Sequence, residues 1–178
     1  MKRNIRISTL KMMGSGILAM AFLLIHGCGY KFVGGGQLPA GVKTVAVVMF
    51  ENRTGETGLE STMTNYMNYE FTRNGVKVTS NQDRADAVLT GIIKSAKVET
   101  VSYRGDDVTV ENRVVVVMSA RMKNREGVEL WAVDNMTERE TYKADTDNTR
   151  VVTNKKSALS ALCKKMAENF YGRMTEDF

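Results

Sequence analysis

The stretch VVVVMSARMKNREGVELWAVD, residues 114–134, decides the fold. It opens on a β-branched run, Val114 to Val117, followed by Met118. Asn124-Arg125-Glu126-Gly127 then interrupts it, with the polar, glycine-ended composition of a tight turn. Beyond the turn the apolar character returns at Leu130 and Trp131. Two such runs around a short polar break predict a hairpin, with strands over about 108–122 and 128–142. Upstream, YRGDDV at 103–108 reads as a second hairpin turn, preceded by a strand from Asp86 to Ser102. Three long strands joined by tight turns predict an antiparallel meander. In the first of them, Val88, Ile92, Ala96 and Val98 fall near one face; Ala87, Leu89, Ile93 and Val101 fall near the other. Its first half reads as buried on both sides, while Lys94 to Thr100 alternates with polar residues and reads as half exposed.

Working outward, Val42–Phe50 is rich in β-branched residues and bounded by turn formers, so it predicts one buried strand. Leu59, Met63, Tyr66, Met67 and Phe71 recur at helical spacing, and Asn74-Gly75 is a stop signal. A helix is therefore expected from Gly58 to Arg73, with a short strand over Val76–Ser80. Lys143–Arg150 is polar and predicts a mobile loop. A last helix, capped at Thr153 or Asn154, would carry its apolar stripe on Leu159, Leu162, Cys163, Met166, Phe170 and Met174. Both helices must bury a stripe, and the sheet is the surface available. The expectation is α+β: a two-layer sandwich of a mixed sheet, containing the meander, with two helices packed on one face.

The N-terminus has another character. Lys2, Arg3, Arg6 and Lys11 precede an apolar core, Ile17–Ile25, of nine residues. That is the order of a secretory signal, and it is too short for a transmembrane span of roughly 20 residues. Ile25-His26-Gly27-Cys28 resembles the bacterial lipoprotein box, in which the cysteine receives a diacylglycerol before cleavage. The expected organisation is a signal peptide over 1–27, a lipid-anchored lead-in over 28–40 and a single domain over 41–178. Removing residues 1–27 takes away four basic residues and no acid, which leaves 21 basic against 20 acidic residues. The positive balance of the chain is thus mostly a property of the signal and gives no support for nucleic-acid binding.

The same cut removes His26, the sole histidine. No nucleophile-elbow, Walker, zinc or EF-hand spacing is present in the sequence. Gly34-Gly35-Gly36 lacks the following Lys-Ser/Thr of a phosphate loop and reads as a flexible lead-in, and Asp106-Asp107 reads as turn chemistry. Cys163 lies on the apolar stripe of the last helix and reads as a small buried hydrophobe. The expectation is a non-enzymatic module with no catalytic residue, no metal and no cofactor beyond the lipid on Cys28.

Several stretches together resemble the LptE family: CGYKF at the anchor, LPAGVKTVAVVMFENRTGETGLE, ADAVLTGIIKS, VSYRG, ELWAVDNMTERETY and the closing ALSALCKKMAENFYGRMTEDF. The resemblance covers nearly all of the chain after Cys28, in order. It implies an outer-membrane lipoprotein on the periplasmic side that plugs an LptD-type β-barrel, supports its assembly and helps deliver lipopolysaccharide to the outer leaflet. The alternative is a free-standing lipid-anchored binding protein for envelope glycans or solutes; an anchored hydrolase is a third reading. Lipopolysaccharide offers phosphates and acyl chains, so its contacts should combine cationic and apolar groups. Arg104 at the hairpin tip, with Lys94 and Lys97 on the half-exposed strand, is the first expectation. Arg113 and Arg121 on the neighbouring strand are the second.

Overall fold

The computed structural model describes residues 37–102 and 111–176. The signal segment, Cys28, the glycines at 34–36, and the turn holding Arg104 and Asp106-Asp107 lie outside the described residues. Among the described residues the strands are β1 (Thr44–Val47), β2 (Glu51–Asn52), β3 (Lys77–Val78), β4 (Ala87–Ser102), β5 (Glu111–Asn124) and β6 (Glu129–Lys143). The helices are α1 (Leu59–Arg73) and α2 (Asn148–Glu176).

The sheet order is β3-β1-β4-β5-β6, with β2 continuing beside β4. β1 is parallel to both its neighbours, and β4, β5 and β6 form the antiparallel meander. The sheet is therefore mixed. α1 is the crossover between the parallel strands β1 and β3, which a tight turn could not connect. α1 and α2 run parallel on one face: Tyr66 bonds Ser160 at 3.0 Å, and the Phe71 and Tyr171 rings meet edge-on at 5.8 Å. Their stripes and the inner sheet face form one core that includes Met63, Met67, Phe71, Met118, Met122, Leu162, Met166 and Phe170. Burying each such side chain stabilises by about 1.5–3 kcal/mol. Trp131 closes the β6 side with its ring edge-on to Phe170 at 6.0 Å.

The Asn74-Gly75 stop forms as expected. Gly75 takes a φ of 79°, while Val76 N–H donates to Phe71 O and Gly75 N–H to Thr72 O. These bonds satisfy carbonyls that the helix end would otherwise orphan.

Three expectations change. The strand expected over Val42–Phe50 is broken. Val47 pairs with Leu89 and Glu51 with Ile92, so four steps on one strand meet three on β4. The extra residue lets Phe50 turn inward, where its ring occupies the space a Cβ of Gly91 would need. Its N–H, freed from the ladder, donates to Thr64 Oγ1 of α1 at 3.1 Å.

The two faces of β4 also exchange members partway. A register shift between Ile93 and Ser95 puts an extra residue at Lys94. Beyond it Ala96 pairs with buried Val116 and Val98 with buried Val114, so both join the helix-covered face that carries Leu89 and Ile93.

Finally, the loop expected over Lys143–Arg150 is only four residues, 144–147, and α2 begins at Asn148. Asp147 caps the helix: its Oδ1 accepts from Thr149 N–H at 2.8 Å, and its carbonyl accepts from Val151 N–H. Arg150 folds back on Asp145 and Asp147.

Candidate functional site

The helices cover one face of the sheet and no described element covers the other. Residues paired across strands share a face, so the register lists what the open face presents. Thr90, Arg121 and Ala132 form one row; Lys97, Val115 and Arg139 form another; Glu99, Arg113 and Thr141 form a third. Val115 and Val117 are half-buried at its middle, and Lys97, Arg121 and Arg139 are exposed. Neighbouring strands lie about 4.8 Å apart, so Lys97 and Arg139 flank Val115 with backbones about 10 Å apart.

The four basic residues expected on these strands divide into two pairs. Lys94 sits at the β4 bulge, donates to Asn135 Oδ1 at 2.9 Å and stands 4.0 Å from Asp134. Arg121 bonds Glu129 at 3.0 Å and Asp134 at 3.2 Å. The hydrogen bond Arg121 donates to Glu129, then the charge of Asp134, raise the Arg121 guanidinium above its ordinary range. Asp134 can meet both cations because β6 carries its own bulge. Met118 pairs with Met136 and Ala120 with Val133, which adds one residue; Asn135 takes a φ of 56° and its N–H donates to Ser119 Oγ. Lys97 and Arg113, by contrast, make no ion pair with any described residue. Arg104 lies outside the described residues.

Arg139 was not singled out from the sequence. Its placement depends on the β5–β6 register, and that register includes a bulge no composition reveals. The only local hint is Asp134-Asn135, a pair that tolerates the left-handed conformation.

The helix layer holds a second polar locus. A groove of about 440 Å³ between the C-terminal ends of α1 and α2 is lined by Glu70, Arg73, Glu168, Asn169, Tyr171 and Arg173, among others. The Glu70 side chain is 2% exposed and bonds Arg73 at 2.9 Å, while its Oε1 has no partner. Burial raises its pKa above the ordinary carboxylate value, against the pull of Arg73 and with the help of Glu168. Burial also raises the Tyr171 phenol, and the Glu70 charge adds to that shift. Cys163 is fully buried and its thiol is pushed up to about 12, which suits a core side chain and not a nucleophile.

Among the described residues no group of three or more His, Cys, Asp or Glu could hold a metal ion, and no helix is long and apolar enough to cross a membrane. The site that the described residues assemble is a surface, the open sheet face, where cations flank a half-buried valine strip. Such a surface suits an amphiphile carrying phosphate better than a small solute, which needs enclosure.

A family described as LptE, lipopolysaccharide-assembly, has a model that matches residues 42–174. No curated protein sequence matches the chain. Among solved structures, uncharacterized lipoprotein B from Nitrosomonas europaea is similar at 14% identity, covering 84% of this chain and 90% of that one, with a TM-score of 0.52. A neuraminyllactose-binding hemagglutinin homolog from Helicobacter pylori is similar at 9% identity, 80% and 91% coverage and a TM-score of 0.51. A variant of the PelC dodecamer from Paraburkholderia phytofirmans is similar at 16% identity, 79% and 93% coverage and a TM-score of 0.50. At these identities the likeness is one of fold.

Proposed function

The chain belongs to the LptE family, and on that footing we propose that it is the lipoprotein partner of a lipopolysaccharide-exporting, LptD-type outer-membrane β-barrel. The signal over 1–27 directs export, Cys28 carries the lipid, and the domain works at the periplasmic side of the outer membrane. There it plugs the barrel lumen, supports barrel assembly and hands lipopolysaccharide toward the outer leaflet without catalysing a reaction.

The observation that carries the lipopolysaccharide contact is the open sheet face, with Lys97 and Arg113 free of described ion pairs beside Val115 and Val117. Lys97, Arg113 and Arg139 would meet phosphate, and the valines would meet the start of the acyl chains. Lys94 and Arg121 take second place, because a phosphate must first displace Asp134. That exchange is inexpensive, since exposed ion pairs are worth about 0–1 kcal/mol.

A lipid tether suits this role. It confines the domain to the membrane surface, and raises its effective concentration at the barrel without any new contact. A large barrel has a lumen wide enough to need a plug of domain size.

The test is extraction of the native lipoprotein in mild detergent with mass analysis of what accompanies it. The expected result is a lipid-modified Cys28 and a large β-barrel in stoichiometric amount. A free lipoprotein with no barrel would overturn the barrel reading and favour the lipid-anchored binding protein.

A further inference from the structure

We infer that the groove between the C-terminal ends of α1 and α2 binds a small zwitterion, its primary ammonium against Glu70 and its anionic oxygen group against Arg173. The buried carboxylate carries the argument. Arg73 Nη2 at 2.9 Å and Asn74 Nδ2 at 3.5 Å both meet Glu70 Oε2. The other oxygen, Oε1, is buried with no partner. An ionised carboxylate out of water is costly unless its oxygens find donors. Glu70 lines the groove of about 440 Å³, so a donor lodged there supplies the missing bond. Arg73 is half exposed, and its swing away from the groove gives a ligand access to Oε1.

The charges at this end of the groove fit a cation. One guanidinium serves two carboxylates, because Arg73 Nη1 also stands 4.0 Å from Glu168 Oε1. Glu176 lines the same groove. Two helices end here, and each C-terminus adds partial negative charge. A primary ammonium has three donors and no acceptor, which suits Glu70 Oε1 together with Glu168. A metal ion suits it less, since among the described residues no group of three or more His, Cys, Asp or Glu could hold one.

The rest of the groove fits the anionic half. Arg173 lines it from the last turns of α2, is exposed, and makes no ion pair with any described residue. Its planar guanidinium matches a carboxylate or a phosphate. Gly172, beside it, also lines the groove. Glycine weakens a helix interior relative to alanine, and no side chain or neighbouring element comes within 4 Å of where its Cβ would stand. Packing therefore does not require a glycine there; its effect is to keep the groove open. A free amino acid and the ethanolamine phosphate headgroup of a lipid share the required chemistry, an ammonium and anionic oxygens a few bonds apart. The groove's volume falls within the usual range of small-ligand sites.

The experiment titrates the full chain, purified in detergent, with glycine and separately with phosphoethanolamine, and follows the heat of binding. Saturable binding is expected, and the tighter of the two tells a free amino acid from a lipid headgroup. Glu70→Gln keeps the shape and is expected to weaken binding about tenfold or more. Glu111→Gln, the same loss of charge at the start of β5, leaves it within twofold. Gly172→Leu fills the groove and should likewise weaken binding about tenfold or more, while the melting temperature stays level or rises; a glycine of structural importance only would give the reverse. Ethanolamine and acetate, each one half of the ligand, should bind at least about tenfold more weakly than the zwitterions. If neither zwitterion saturates, or if either groove variant binds as the parent does, the site is wrong. If ethanolamine alone binds as tightly, the anionic half falls and with it the zwitterion. No barrel takes part, so any of these results leaves the reading above untouched.

Discussion

Gly91 is the residue that fixes the seam between the parallel and antiparallel parts of the sheet. A methyl group there would overlap the Phe50 ring, and Phe50 is buried at the core's edge. Gly91→Ala is expected to destabilise the domain by about 1–3 kcal/mol as an overpacked core, read as a lower urea midpoint; an unchanged midpoint would show that the ring moves freely aside. Glu70 is the other residue whose environment exceeds what its sequence neighbours suggest. Burial raises its pKa above the ordinary 4.5. Its protonated form therefore adds stability that is present in full below about pH 4.5 and is lost as pH rises through the raised value. Glu70→Gln mimics the protonated form, so its stability relative to the parent should rise as pH goes from 4 to 8. A difference that stays constant across that range would remove Glu70 as the cause. Neither role is legible from sequence. Gly91 and Phe50 are 41 positions apart, and a glutamate on a polar helix looks solvated until its partner helix is in place.

At the level of elements, α1 with its stop and the three long strands are legible, because each is written locally: a 3.6-residue stripe, an Asn-Gly stop, polar breaks between apolar runs. The beginning of α2 is not. Thr153 and Asn154 have the composition of caps yet lie inside the helix, where Thr153 Oγ1 donates back to Thr149 O at 2.9 Å. Asp147 holds the role, and the sequence offers several acids and hydroxyls that could. Asp147→Ala should cost about 1 kcal/mol and lower the melting temperature, whereas Thr153→Ala should leave it nearly unchanged; equal effects would deny Asp147 the cap. The bulges at Lys94 and Asp134-Asn135 are likewise invisible beforehand. A bulge adds one residue without altering composition, yet it moves every later side chain to the opposite face. That is why Ala96 and Val98 exchange faces, and why Lys94 and Arg121 converge on Asp134.

For the whole molecule, the two layers have different surfaces. The sheet offers cations beside valines; the helix layer offers the hydroxyls, amides and tyrosine of α1 beside the exposed lysines of α2. Reversing charge at Lys97 and Arg113 together, to Glu, should weaken lipopolysaccharide binding about tenfold or more with the melting temperature and barrel recovery retained. Unchanged binding would move the contact off this face. The sequence showed the cations and could not show their partners, since pairing on a sheet is decided by register.

The order β3-β1-β4 has a mechanical corollary. The first strand of the domain is not an edge strand: β1 is held by backbone bonds on both sides. Under the proposal that Cys28 carries the lipid, tension between membrane and domain enters at β1. Detaching it requires neighbouring ladders to slide together, where an edge strand could be unzipped one bond at a time. Pulled from its N-terminus in a single-molecule trap, the domain should yield at higher force than when peeled from the β6 edge, and equal forces would contradict this. A tether proposed on Cys28 would thus be fastened where the sheet best resists being drawn out, as a moored object requires.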